Sequence, residues 1–342
     1  EFRHQADHGG VASLAFVTGL GRGGGGAGAA RQHAHLMVTG SAAGALCVWD
    51  LGKRQRACVV AHAHRGRIAS AAAVPNEELL VTSGEDNQLR VWVFDQVHAL
   101  GGAAGAVAGP PRVLRSRGGH WSPPNRVRFH PARPDYLLTS GTDRTLRGFN
   151  LYRPQQTFEF SQRTAEAAKR QKKKKKAKAK KGGGDGARRP WGTIVGFEVS
   201  QAKEHEWASV IACHENTGEA STWNFARKRV SSKPIGGRGL RLDISAVSIS
   251  ACGHYCVVGT DSGKLERYNL QSGNFYRAYP AAASRKAHRG QVTGVQIDAV
   301  NFSVVSSGLD GTLKVWDYHE HKLQRMVQIP DRDSGEGVRE GE

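Results

Sequence analysis

Apolar residues in this chain recur at every second position, in short runs closed by Gly, Pro, Asn, Asp or Ser. Val127 and Phe129 show the pattern, as do Val247 and Ile249. A period of two puts such side chains on one face of an extended strand, whereas a helix needs apolar residues three and four apart. Tight-turn chemistry such as "LDGT" (Leu309–Thr312) punctuates the runs. The pattern predicts an all-β chain and excludes helical solenoids.

The runs are organised into repeats. "AHRGQVTGVQIDAVNFSVVSSGLDGTLKVWD" (Ala287–Asp317) parallels "AHRGRIASAAAVPNEELLVTSGEDNQLRVW" (Ala63–Trp92), "GHWSPPNRVRFHPARPDYLLTSGTDRTLRGFN" (Gly119–Asn150) and "ISAVSISACGHYCVVGTDSGKLERYN" (Ile244–Asn269). Weaker copies span His8–Asp50 and Trp191–Asn224. Each unit has an alternating strand, a turn, an apolar strand ending in small residues, a tight turn, and a strand ending in an aromatic. Those aromatics are Trp49, Trp92, Phe149, Trp223, Tyr268 and Trp316, separated by 43, 57, 74, 45 and 48 residues. Removing insertions at His98–Pro111 and Ser161–Arg189 brings the two long gaps to 43 and 45. A period near 43 with four strands per unit is the signature of WD repeats, each one β-propeller blade. Six four-stranded blades are expected.

Asp86, Asp143 and Asp310 stand six residues before the aromatic of their units, and His64, His120 and His288 open the same units. In WD repeats these residues join a strand hydroxyl and the Trp in a buried hydrogen-bond network, here expected to use Ser83, Ser140 and Ser306 with Trp92 and Trp316. Ser262 takes the Asp position in the fifth unit, while Ala43 and Thr217 take it in the first and fourth. No comparable His is evident in the fourth or fifth, and these blades are expected to be less rigid. Recurrence argues against a hydrolase triad, since a catalytic group is needed once. The pairs His33/His35, His62/His64 and His319/His321 lack a third nearby ligand, and Cys47, Cys58, Cys213, Cys252 and Cys256 show no CxxC spacing. No metal or cofactor is predicted, and the thiols suit a reducing compartment.

Charge adds a second theme. The formal net charge is +19, of which residues 169–189 supply +11 through twelve Lys or Arg and one Asp. Lys169, Arg170, Lys172, Lys173, Lys174, Lys175, Lys176, Lys178, Lys180 and Lys181 carry the densest part. Like charges at i,i+4 oppose a helix despite good intrinsic propensity, so a disordered cationic arm is expected, able to bind phosphates. No aromatics are interleaved to stack bases, so such binding would lack sequence preference. An import signal is the other reading, and the two are compatible. The Gly/Ala-rich insertions Gly19–Ala30 and Ala99–Pro111 read as spacers. There is no run of eighteen apolar residues, so no membrane-spanning helix is expected.

Beyond the WD signature, "DRTLRGFNLYRPQQTFEFSQ", "WASVIACHENTGEASTWNFARKRVSSKPI" and "ISAVSISACGHYCVVGTDSGKLERYNLQSGNFYRAY" resemble the WD repeat-containing protein 36 family, also called U3 small nucleolar RNA-associated protein 21. The segments "EELLVTSGEDNQLRVWVFD" and "KAHRGQVTGVQIDAVN" fit the same family. The resemblance implies two tandem propellers and a helical C-terminal domain in the whole protein. It implies a noncatalytic subunit of the UTP-B complex in the small-subunit processome, working in the nucleolus. Its partners would be other WD-repeat subunits, the U3 snoRNP and precursor ribosomal RNA, without a small-molecule substrate. On this reading residues 1–160 hold blades of a first propeller and 161–190 a lysine-rich insertion. Residues 191–330 hold blades of a second propeller and 331–342 a truncated connection, so the chain is an internal fragment. A WD-repeat adaptor or substrate receptor of another nuclear complex, in ubiquitin ligation or chromatin, is the alternative. An enzyme would need acid, base or nucleophile chemistry outside the repeated residues, and none is found.

Overall fold

The alternation in the sequence becomes a series of antiparallel meanders. The computed structural model describes residues 9–18, 35–74, 77, 79–94, 110–162, 191–231, 233–236, 243–280 and 286–329. The chain divides into two compact units, Glu1–Phe160 and Ser161–Glu342.

In the first unit, β1 (Val11–Thr18), β2 (His35–Ser41), β3 (Leu46–Asp50) and β4 (Gln55–Val60) pair in sequence order. A second sheet follows from β5 (Ile68–Ala73), β6 (Leu79–Gly84), β7 (Gln88–Val93) and β8 (Arg112–Gly118). The third has β9 (Pro124–His130), β10 (Arg133–Gly141), β11 (Leu146–Asn150) and β12 (Phe158–Glu159). In the second unit the fourth sheet contains β13 (Ile194–Val199), β14 (Val210–His214), β15 (Glu219–Asn224) and β16 (Arg229–Val230), with β17 (Ile235–Gly236) added against the start of β15. The fifth comprises β18 (Ile244–Ile249), β19 (Tyr255–Thr260), β20 (Leu265–Asn269) and β21 (Phe275–Ala278). The sixth comprises β22 (Val292–Ile297), β23 (Ser303–Gly308), β24 (Thr312–Asp317) and β25 (Leu323–Gln328). Six blades of four strands are therefore present, the fourth carrying one extra short strand.

Register repeats as closely as composition. The terminal aromatic lies opposite an apolar residue of the preceding strand in every sheet: Met37↔Trp49, Leu80↔Trp92, Leu137↔Phe149, Val210↔Trp223, Cys256↔Tyr268 and Val304↔Trp316. A bulge also recurs where the first strand begins, as at Ile68/Ser70, Ile244/Ala246 and Val292/Gly294. It increases local twist and aims the strand's later side chains inward.

Apolar faces of successive sheets close on each other within each unit. Val17, Val38 and Leu46 pack with Ile68, Leu80 and Trp92 between the first and second sheets. Val81, Leu89 and Val91 meet Val127, Leu137 and Phe149 between the second and third. Ile211 and Ile235 meet Val247 and Val258, and Val257 and Leu265 meet Ile297, Val304 and Trp316, in the second unit. Burying each large side chain stabilises by about 1.5–3 kcal/mol, so these interfaces are the main cohesive force. Polar side chains add cross-links. On the exposed edge strand β8, Arg117 donates to the Asn150 carbonyl at 2.9 Å and its guanidinium sits 4.9 Å from the Phe149 ring centre. In the second unit the buried Arg267 guanidinium lies 4.0 Å from the Tyr255 ring and 3.9 Å from that of Tyr318, and donates to the Tyr318 carbonyl. Aromatic faces stabilise this cation.

Candidate functional site

The repeated polar residues form buried relays whose order follows from donor chemistry. In the second sheet, Trp92 Nε1–H donates to Thr82 Oγ1 at 2.8 Å, and Thr82 Oγ1 lies 2.7 Å from His64 Nε2. His64 Nδ1 is 2.8 Å from Asp86 Oδ1. A neutral imidazole satisfies the whole chain: it accepts at Nε2 from the Thr hydroxyl and donates at Nδ1 to the carboxylate. Asp86 also accepts the amides of Arg65 and Gln88, so it holds both its own tight turn and the residue after the His. The sixth sheet repeats this with Trp316, Ser306, His288 and Asp310 at 2.8, 2.8 and 3.1 Å. In the third, His120 Nε2 lies 2.7 Å from Thr139 Oγ1 and Nδ1 lies 3.1 Å from Asp143, while Phe149, lacking an N–H, offers only its ring edge.

Two expected members are displaced by one residue. The linking hydroxyls are Thr82 and Thr139, not Ser83 and Ser140; only Ser306 holds the expected place. Side chains alternate across a strand, so Ser83 and Ser140 face away from the aromatic. Ser83 Oγ is buried with no hydrogen-bond partner, and Ser140 Oγ donates to Asn125 Oδ1. The signal was available: the working hydroxyl stands four residues before the Asp in all three units.

The relays include a cation that the sequence reading missed. Arg90, Arg147 and Lys314 each stand two residues before the aromatic, and each donates to the carbonyl just before the His: Ala63, Gly119 and Ala287. Glycine makes room for the ring. A Cβ on Gly84 would sit 2.3 Å from His64 Nδ1, and one on Gly308 would sit 2.5 Å from His288 Nδ1. This is why the second strand ends in small residues.

The fourth sheet has its own relay. His214 pairs with Ile194, the register position held by Gly84 in the second sheet, and fills from within the space that the other histidines enter from outside. Its Nε2 lies 2.6 Å from Ser221 Oγ, which accepts Trp223 Nε1–H at 2.7 Å, and its Nδ1 donates to the Gly192 carbonyl. Ala212 stands where Thr82 would be, and Ser221 opposite it supplies the hydroxyl. Trp191 stacks on the imidazole at 4.9 Å. The expectation of no comparable His in this blade is thus corrected. In the first sheet Trp49 Nε1–H donates to Thr39, and in the fifth Tyr268 donates to Glu266.

Electrostatics agree with neutral histidines beside ionised carboxylates. Burial depresses His64, His120 and His288, outweighing the Asp partners that favour their protonation. His214, buried and without a carboxylate, is pushed down to about 4. Burial works against ionised Asp86, but the His64, Arg65 and Gln88 hydrogen bonds outweigh it and hold the carboxyl below its usual range. These hydroxyls and imidazoles lie in the sheet interiors, with Thr82, Thr139 and Ser306 almost wholly enclosed. The arrangement is architectural.

The lysine-rich run, Lys169–Lys181, lies outside the described residues, as do the Gly19–Ala30 spacer and residues 99–109. The attachment points of the run are described. Ser161 pairs with the outer edge of β16, donating to the Lys228 carbonyl and accepting from Val230 N–H, both at 2.9 Å. Trp191 N–H donates to Gln162 Oε1 at 3.0 Å, so both ends of the insertion are pinned together beside β16. All five cysteines are free thiols. Cys256 is buried in β19, and burial raises its thiol to about 12, whereas Cys252 sits in the turn before it.

Residues 125–335 match the family profile for the WDR36/Utp21 second beta-propeller domain, and residues 56–93 match the WD domain, G-beta repeat. U3 small nucleolar RNA-associated protein 21 of Saccharomyces cerevisiae is 32% identical over 299 residues, covering 86% of this chain and 30% of that protein. Its Schizosaccharomyces pombe homolog is 31% identical over 298 residues, with the same coverages. Human WD repeat-containing protein 36 is 30% identical over 311 residues, covering 88% of this chain and 32% of that protein. The chain thus spans about a third of the length of these relatives. With its blade register, its relays and a profile match over more than half its length, the chain belongs to the WDR36/Utp21 family of WD-repeat β-propeller proteins.

Proposed function

We propose that this chain is part of a noncatalytic WD-repeat scaffold of the small-subunit processome, within the UTP-B complex. It supports U3 snoRNP-dependent processing of precursor ribosomal RNA and biogenesis of the small ribosomal subunit in the nucleolus. The observation that carries this reading is similarity over 86% of the chain to relatives named for association with U3 small nucleolar RNA. A scaffold role is supported by the enclosure of every His–Asp relay, which leaves those groups to rigidify blades. Its partners are other WD-repeat subunits, the U3 snoRNP and precursor ribosomal RNA.

Within that scaffold, residues 1–160 supply blades of one propeller and 191–330 blades of the next, with the lysine-rich insertion between. The division at Phe160/Ser161 supports this boundary, whereas the profile match starting at residue 125 would move it to the start of the third sheet. Immunoprecipitation of the full-length protein followed by sequencing of bound RNA tests the particle assignment. Enrichment of U3 and the 5′ region of precursor ribosomal RNA is expected; background levels of both would overturn it.

A further inference from the structure

A cleft of about 330 Å³ opens in the second unit beside the edge of the fourth sheet. Trp207, Val230 and Leu270 form its apolar floor, and Arg227, Arg229 and Lys233 stand over it. Arg227 lies in the turn before β16, Arg229 in β16 and Lys233 just beyond it, and all three line the same cleft. Arg227 and Lys233 are exposed and Arg229 is half-buried. Among the described residues no carboxylate pairs with any of the three; Glu206, the acid at the cleft, is bound to Lys203 at 2.8 Å. Structural arginines elsewhere in the fold, such as Arg90 and Arg267, are spent on carbonyls, an Asp or aromatic rings. The cleft cations make only long contacts of this kind: Arg229 Nε donates to the Arg227 carbonyl and Lys233 Nζ to the Gln271 carbonyl, each at 3.4 Å.

The geometry points to a site for the phosphates of single-stranded RNA. Three observations select that ligand. First, β16 has no open edge for a peptide strand, because Ser161 fills its outer side and β15 its inner side. A ligand therefore meets side-chain cations, not a row of backbone groups, which suits a polyanion better than strand addition. Second, Trp207 has given its N–H to the Gly253 carbonyl and carries Lys203 5.3 Å from its ring centre, so it serves as floor, not as a stacking platform. Phosphates, not bases, are the contacted groups. Third, both ends of the insertion that carries Lys169–Lys181 are pinned at β16, next to Arg229. One long polyanion held in the cleft passes the root of that cationic segment. The naming of RNA as the polyanion rests on the ribonucleoprotein reading above; the cleft itself does not.

The test uses the full 342-residue chain and a fluorescein-labelled mixed-sequence 20-nucleotide RNA, with anisotropy measured across salt. Each phosphate contact to a single strand contributes about 0.7 to the slope of log K against log salt, so losing three lowers the slope by about 2. The variant R227Q/R229Q/K233Q is expected to bind roughly 10- to 100-fold more weakly at about 0.1 M salt, equally for all RNA sequences. The charge-conserving variant R227K/R229K/K233R should retain binding. Thermal melting verifies that each variant folds; R227Q alone, at an exposed position, should lose about 0.7 in slope. Unchanged affinity and slope in the folded triple variant overturn the site, and so does tighter binding of polyglutamate than of RNA. Neither result touches U3 co-precipitation, so failure of the site is distinguishable from failure of the particle assignment.

Discussion

At the scale of single residues, the Thr-Ser dipeptides at 82–83 and 139–140 show how one step along a strand separates a structural hydroxyl from a bystander. Thr82 bonds to both His64 and Trp92, whereas Ser83 Oγ is buried without a partner. Thr82→Val should strand an imidazole nitrogen and an indole N–H, costing about 2–4 kcal/mol. Ser83→Ala should be neutral or stabilise by up to about 1 kcal/mol, because it removes an unsatisfied polar atom. Urea denaturation of the two variants measures the contrast; equal losses would refute the assignment of roles. Both residues carry a hydroxyl, so composition alone could not choose between them. Spacing to the Asp, read consistently, would have done so.

The strand is the scale at which the fourth sheet compensates for its missing Asp. His214 sits within β14, where other sheets need a small residue, and not at the opening of the unit, where the other relay histidines stand. Its depressed pKa gives the relay a pH signature. The unfolded chain protonates His214 near 6.5, while the folded chain resists until about 4. Between those values the unfolded state binds more protons, so this contribution is complete above pH 6.5 and is lost as pH falls towards 4. The difference amounts to roughly 3 kcal/mol. The stability gap between the wild-type chain and His214→Gln, followed by denaturation at pH 7 and pH 4, should narrow by about that amount on acidification. A gap independent of pH would show that His214 titrates normally. Blade number, strand order and the terminal aromatics were all legible beforehand, because a two-residue period fixes which face each side chain takes.

For the whole molecule, charge and architecture can be separated experimentally. Deleting Lys169–Lys181 should leave the blades folded, since the described ends of the insertion are held by Ser161, Gln162 and Trp191 and not by the run itself. If the run is an address, nucleolar localisation falls while precursor-rRNA cleavage remains normal in cells where the protein still enters the nucleolus. If it contacts RNA, cleavage falls as well even when localisation is restored by an added import signal. Imaging and precursor-rRNA blots read the two outcomes independently. The sequence made the run conspicuous, but where its root lies depended on Ser161 pairing across to β16, a contact between residues far apart in the chain.

By itself the sequence determined the all-β class, the six repeats, the aromatic that closes each, and the His–Asp pairs in three of them. These follow from local periodicity and fixed spacing, which a linear reading captures. Only the tertiary structure decided which hydroxyl joins each relay, that His214 and Ser221 rebuild one in the fourth sheet, and that Arg227, Arg229 and Lys233 gather over a cleft. Those features depend on register between strands and on packing between sheets. They arise when residues distant along the chain compete for the same enclosed volume, and hydrogen-bond geometry settles the outcome.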